Sequence, residues 1–350
     1  MQGTLQSKRS KDINKVRIGL AGFGYWGPNL ARAISNQKNA KLVAIADANL
    51  SSLNKASEQF FGIETYEDYL LMLKNETIDA IVVAMPAKMH EVAALDSIKS
   101  GKHVLVEKPM VLNPKVGENL AEIAKIKNLI IMPGHTFVYN DLIVWAKAYI
   151  SDGCLGKILN IYSQRLNLGQ LRNDVNVVWN LAPHDISIFD YLLNSRPISV
   201  SATGASITQE GIEDVAFLSV KYHRNIIAHL HVSWLDPTKT RKITIIGTKG
   251  MMIIDDANSE FRIQIHEKFV EKIDEAAPSF GEHLFSLHSG DVKIPKVKFR
   301  EPLILEIEDF VTAIIEKRSP RATIEDGIWV ARTLSAAEKS ISAGGASITV

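Results

Sequence analysis

Apolar residues in the first third of the chain fall in short continuous runs, and most runs are followed by residues with helical spacing. Runs bounded by turn residues read as buried strands, while apolar positions three and four apart read as one face of a helix. The pattern predicts strands at 16–21, 41–46, 79–85, 103–106 and 129–132, the last counted as the sixth of its sheet. Helices are expected over 29–35, 66–74, 91–100 and 114–127, with Gly101 closing one and Asn113-Pro114 opening another. Such alternation predicts a doubly wound parallel sheet that ends near Gly134.

Beyond Gly134 the period changes to two. Strands are expected at 158–168, 198–207, 215–222, 226–234, 242–246, 251–255 and 261–266, with Gly247-Thr248-Lys249-Gly250 as a turn. Meander-like strands of this kind predict an open, largely antiparallel sheet. Helices are expected at 141–151, closed by Gly153, and at 181–193, while 268–298 reads as an irregular excursion before helices at 303–317 and 324–339. The expected organisation is a tail or expression remnant over 1–15, a nucleotide domain over 16–134, and a substrate-binding α+β domain over 135–350. A bare sheet face needs cover, so a homodimer or homotetramer through the C-terminal sheet is expected.

Composition narrows the partners. The 350 residues are 46% hydrophobic and 23% charged, with 40 basic against 39 acidic residues and a net charge of +1. A balance so close to neutral gives no global field toward nucleic acid or an acidic membrane, which leaves a small molecule as the expected partner. The single cysteine, Cys154, excludes an internal disulfide framework and argues against a metal centre. With no apolar leader and no long apolar span, the expectation is a cytoplasmic protein without a membrane contact.

The first strand runs directly into Gly22-Phe23-Gly24-Tyr25-Trp26-Gly27, and a helix follows. In the strand–turn–helix setting of a Rossmann domain, the first glycine makes the tight turn. The second admits a pyrophosphate and the third allows close packing. The helix N-terminus adds free N–H groups and the positive end of its dipole. Asp47 ends the second strand about 20 residues past the last glycine, where a carboxylate accepts from a ribose hydroxyl. It would repel a 2′-phosphate and no basic residue follows at once, so NAD is expected over NADP. Pro86 and His90 stand just past another strand end, His90 with both a structural and a ligand-side reading open.

Glu107-Lys108-Pro109 closes the fifth strand, at the sheet edge where ligands bind in open α/β folds. Alone, such a lysine is most often a solvated loop residue. In Asn180-Leu181-Ala182-Pro183-His184-Asp185, Asn180 reads as an N-cap and Asp185 as a residue suited to the helix dipole. That leaves His184 without a structural task, divided between a core position and proton exchange at a reacting hydroxyl.

The glycine turn, Glu107-Lys108-Pro109, Gly134-His135 and a histidine four residues into a helix of the second domain together resemble the glucose-fructose oxidoreductase, inositol dehydrogenase and MocA family. The resemblance covers nearly the whole chain from Val16. It implies a Rossmann domain beside an open-sheet domain, a tightly held nicotinamide cofactor, and oxidation or reduction of a sugar, polyol or nucleotide sugar. It also implies Lys108 as the substrate-contacting lysine and His184 as the acid/base. Many members carry an aspartate where this chain has Asn180, and an amide cannot take a proton, so an Asp–His relay is excluded here. The branch oxidising C3 of UDP-linked N-acetyl sugar uronates is similar in having asparagine there. A sensor that has lost catalysis and an NAD-using glycosidase are the competing readings.

Arginines suit diphosphates. Arg165, Arg172 and Arg241, with Lys239 and Asn167, are therefore candidate substrate contacts, and His135 and Tyr139 candidate pocket residues. His229 and His231 share one sheet face by alternation and are expected to pack or cap there.

Overall fold

The computed structural model describes residues 15–169, 171–272 and 285–350. The tail expected over 1–15 lies, apart from Lys15, outside them. Two compact units divide the chain, Met1–Tyr139 with Arg300–Ala331, and Asn140–Phe299 with Arg332–Val350. The expected boundary after Gly134, with all that follows in the second domain, is therefore corrected: 300–331 returns to the first unit.

In the first unit strands and helices alternate as β1 (Val16–Ala21), α1 (Gly27–Ser35), β2 (Ala40–Ala46), α2 (Leu50–Gln59), β3 (Glu64–Tyr66), α3 (Tyr69–Leu73), β4 (Ala80–Val83), α4 (Ala87–Lys99), β5 (His103–Val106), α5 (Pro114–Lys127) and β6 (Ile131–Pro133). The six strands pair in parallel in the order β3-β2-β1-β4-β5-β6, so the order reverses between β1 and β4. Both faces of the sheet are covered. Every residue of β4 is accordingly buried and apolar, the signature of a parallel strand. Asn113 caps α5 by accepting from the Lys115 N–H at 3.0 Å.

The helix expected over 66–74 is present but shorter, as α3, and the strand β3 just before it was not expected. The stretch before it holds a helix the pattern did not show, because α2 buries only Leu53 and Ala56. A stripe that thin leaves no periodic signal. The cap is the better signal there, with Asn49 accepting from the Ser51 N–H at 2.9 Å.

The second unit is built from α6 (Asp141–Ser151), β7 (Ile158–Leu168), α7 (Val177–Leu193), β8 (Pro197–Ala205), β9 (Val215–Tyr222), β10 (Ile227–Ser233), β11 (Leu235–Gly247), β12 (Gly250–Asp255), β13 (Ile263–Lys272) and β14 (Phe285–Lys293). The chain then passes through α8 (Pro302–Glu316) in the first unit and α9 (Ile324–Ser342), and ends with β15 (Ile348–Thr349). Nine strands form one sheet in the order β14-β13-β12-β11-β7-β10-β9-β8-β15, antiparallel except for β7 against β10. Buried positions alternate with exposed ones in β7, β9 and β10, and α7 packs on the buried side. Tyr162, Phe217 and Ile227 remain 42–51% exposed on the other side. His229 there bonds Leu218 O at 3.0 Å and His231 stacks on Phe217.

Two expectations for this unit need correction. The excursion over 268–298 is largely paired strand, β13 against β14, with residues 273–284 outside those described. Almost every residue of β14 is exposed, so no buried face imposes a period on its sequence. The helix expected from 181 begins at Val177, capped by Asn176, whose side chain accepts from the Trp179 N–H at 3.1 Å. Asn180 is thus an interior residue and not the N-cap.

Candidate functional site

The glycine turn is the tightest point of the first unit. Gly22 has φ +102°, and a Cβ there would stand 2.5 Å from Ala84 O, so any side chain forces the backbone apart. A Cβ on Gly27 would stand 2.8 Å from Gly22 O, while one on Gly24 would meet nothing within 4 Å. That open side suits a group approaching the backbone. Trp26 at the N-cap of α1 makes no side-chain cap bond and the first turn holds no acidic residue. The end of the helix therefore keeps donors and a positive dipole for an anion, and the cradle fits the pyrophosphate of a dinucleotide. Tyr25 and Trp26 are exposed, whereas Phe23 is buried edge-on against Phe60.

Asp47 follows β2 and faces this turn. Its Oδ2 accepts from the Phe23 N–H at 2.6 Å and its Oδ1 from the Asn49 N–H at 2.8 Å. A carboxylate has further lone pairs, so the same group can brace the turn and accept from a ribose hydroxyl. We expect Asp47→Ala to weaken NADH binding about 10–100-fold, the loss of one or two hydrogen bonds to a charged acceptor. Fluorescence titration checks this, and an unchanged Kd would remove Asp47 from the cofactor site.

At the ends of β4 and β5 the residues divide by task. Pro86 is exposed at the start of α4. His90 is buried, with Nδ1 2.8 Å from Pro109 O and Nε2 2.7 Å from Met85 O, so its ring ties two strand ends together. Its neighbour Glu91 accepts from the Leu112 and Asn113 N–H groups at 2.7 and 2.6 Å. Helix α4 thus holds the chain just after Lys108, at Pro109 and at Leu112-Asn113. Lys108 is partly exposed, precedes Pro109 through a cis peptide, and donates its N–H to Glu107 Oε2 at 3.2 Å. Burial raises the Glu107 carboxyl above its ordinary range, opposed by the Lys108 charge.

His135 and Tyr139 were expected to line a pocket. His135 is buried, and Tyr139 is buried with its hydroxyl donating to Asp309 at 2.8 Å and accepting from the Ala322 N–H at 3.1 Å. Tyr139 is therefore a core residue that fastens α8 and the chain after it. Burial first, then the Asp309 charge, pushes its ionisation far up.

In the second unit, α7 is buried along most of its length, but Asn180 and His184, one turn apart, are both partly exposed. Pro183 removes the backbone donor that would reach residue 179, so the ladder is broken beside this pair. Asn180 Oδ1 accepts from the Trp234 indole at 3.2 Å. Asp185, read from sequence as a dipole partner, is instead in a buried bidentate pair with Arg165, at 2.6 Å from Nε and 3.3 Å from Nη2. Arg165 is therefore a structural cation of β7.

Arg241 stands opposite Arg165 in the β11–β7 register, an unfavourable like-charge placement offset by Asp185 and by Asp256, 3.6 Å from Arg241. Burial, then the Arg165 charge, lowers the proton affinity of Arg241. Arg172 is held by Asp174 at 2.6 Å, Lys239 is exposed and Asn167 partly so. The expected diphosphate cluster is in this way already largely neutralised by aspartates. Trp234 is a residue that the motif reading missed, and Asp185 one to which it gave another task.

Among the described residues no three His, Cys, Asp or Glu gather as a metal ion would need, and no helix is long and apolar enough to cross a membrane.

A parallel sheet with a glycine turn and a carboxylate at its switch point, joined to a large mixed sheet, defines a two-unit dinucleotide-binding α/β protein. The chain belongs to the Gfo/Idh/MocA oxidoreductase family, whose NAD-binding Rossmann domain matches residues 16–135 and whose C-terminal domain matches 143–253. It is 25% identical to a 2,7-anhydro-N-acetylneuraminate hydratase of Mediterraneibacter gnavus, over 69% of this chain and 68% of that one. It is 24% identical to a UDP-N-acetylglucosamine 3-dehydrogenase of Acidithiobacillus ferrooxidans, over 92% and 95%. Among solved structures, GenD2 from gentamicin A biosynthesis in complex with NAD superposes with a TM-score of 0.81 at 21% identity, covering 97% of each chain, a likeness of fold.

Proposed function

We propose that the protein moves a hydride between NAD and a carbinol carbon of a sugar or polyol. The observation that carries the reading is the placement of Gly22–Gly27, Asp47 and Lys108 at the carboxyl ends of β1, β2 and β5 in one sheet. Bound in the glycine cradle, the dinucleotide supplies the hydride acceptor or donor. The chain's own residues manage the oxygen and its proton. The Lys108 ammonium stabilises the developing alkoxide, and His184 takes the hydroxyl proton or returns it. Asn180 is an amide and stays outside the proton path. Nucleotide-linked N-acetyl sugars and their uronates are the first substrates to test, a choice supported by the named substrate of the Acidithiobacillus relative. The exposed face of the large sheet, with Tyr162, Phe217 and Ile227, supports assembly into a homo-oligomer.

The hydratase relative supports a second reading. A carbinol oxidised to a ketone acidifies its neighbouring C–H, so an adjacent ether oxygen can leave by elimination and water can add before the carbonyl is reduced again. No NADH would accumulate in that case. Incubating the protein and NAD with nucleotide sugars, inositols and anhydro sugars, while following both absorbance of NADH and the sugar product, separates the two. Product with NADH supports the dehydrogenase, and product without it the redox-neutral route. Tight NADH binding with no product from any sugar would contradict both.

A further inference from the structure

The bond between Trp234 and Asn180 decides which way an amide faces beside His184. Trp234 joins β10 to β11 and is 1% exposed. Its backbone N–H donates to Asp214 O at 2.9 Å and its carbonyl accepts from the Gly169 N–H at 3.0 Å. The residue is thereby pinned between the chain that enters β9 and the chain that leaves β7. An indole nitrogen only donates, so the amide atom 3.2 Å from Trp234 Nε1 has to be the oxygen of Asn180, since its NH2 would set donor against donor.

Over residues 177–190 of α7, Asn180, Leu181 and His184 are partly exposed and the rest are buried. Asn180 and His184 are four apart in the helix and share one face. Because the indole is buried and Asn180 is not, the oxygen takes the buried branch of the amide and the NH2 the accessible one. The polar surface that this turn of α7 offers is therefore an N–H donor beside an imidazole.

We propose that Trp234 is a positioning residue for the hydride transfer, holding the Asn180 amide so that it presents a donor, and no acceptor, to the reacting oxygen. This rests on the reading of His184 given above. In the oxidation the hydride leaves for the nicotinamide and the hydroxyl proton for His184, and the remaining electron pair closes the carbon–oxygen double bond. Negative charge grows on the oxygen along the way, and an N–H already aimed at it gains strength as the charge grows. An amide free to turn would also offer its oxygen, which repels an alkoxide. Asn180 thus has a task although it carries no proton.

The chain has five tryptophans, and in a 15N–1H spectrum of the full-length protein Trp234→Phe identifies the indole signal of Trp234. That signal should move upfield when Asn180→Leu takes its acceptor away. A signal left in place overturns the bond and the proposal with it. Turnover tests the task. Asn180→Leu should lower kcat about 10–100-fold with substrate KM unchanged, below the full cost of an oxyanion donor because the Lys108 charge remains. Trp234→Phe, which keeps an aromatic ring and removes the N–H, should lower kcat about 5-fold, again with KM unchanged, the worth of one net hydrogen bond. Added to Asn180→Leu it should cost nothing further, because the amide it orients is gone. A folded Trp234→Phe protein with wild-type kcat, or a loss repeated in full in the double variant, overturns the positioning role. If the wild type turns over no sugar at all, the reading of His184 falls and the task with it, while the indole signal still decides the orientation of the amide.

Discussion

Replacing Lys108 by alanine is expected to lower kcat by about 100-fold or more while NADH binding stays within a few-fold of wild type. The lysine side chain stands at the end of β5, in a segment fixed from behind by His90 and Glu91 of α4. Truncating it leaves those bonds intact, so the loss falls on charge at the reacting oxygen and not on the fold. His184→Ala should cost about as much, since general acid–base transfer contributes roughly 100–10,000-fold. It should also remove one limb of the pH–rate profile. Steady-state kinetics with the sugar found by the substrate panel checks each, and near-wild-type turnover in either removes that residue from the mechanism.

The largest expected effect on stability comes from a neighbour of His184. Asp185→Ala leaves the Arg165 guanidinium, 6% exposed, without its bidentate acceptor. A buried charge stripped of its partner costs about 3–5 kcal/mol, and in a domain this large each kcal/mol lowers Tm by about 2–4 °C. Replacing both members, as in Arg165→Met with Asp185→Leu, should recover much of that loss, because a well-packed apolar pair escapes the desolvation penalty. Calorimetry on the two proteins measures it. An unchanged Tm in Asp185→Ala would show that the pair does not hold β7 against α7.

What could be read from the chain depended on how many faces of an element are buried. Strand β4 is buried throughout and its run of Ala80 to Val83 announces it. Strand β14 is exposed almost throughout and helix α2 buries two residues, so neither leaves a period to read. The glycine turn was legible because Gly22 and Gly27 are required by backbone contacts that no other residue permits. The arginines misled because a cation's partner lies far away in sequence. Arg165 shares the inward parity of Ile161 and Ser163 in β7, and that parity marks it as a buried residue with a partner to find. Glu306 carries a similar mark. A lone carboxylate between Leu303 and Ile307 on the apolar stripe of α8 is out of place on a solvent-facing reading, and inside the fold it accepts from the Thr136 hydroxyl.

On the proposed reading a carbinol carbon of a sugar gives its hydride to NAD on this protein. The direct measurement is transfer of deuterium from a sugar labelled at the reacting carbon, followed by mass spectrometry of the reduced cofactor. The wild type should form deuterated NADH, and labelling should be about 100-fold slower with Lys108→Ala or His184→Ala. Conversion of the labelled sugar in the presence of NAD, with the deuterium neither in the cofactor nor returned to the product carbon, would contradict it.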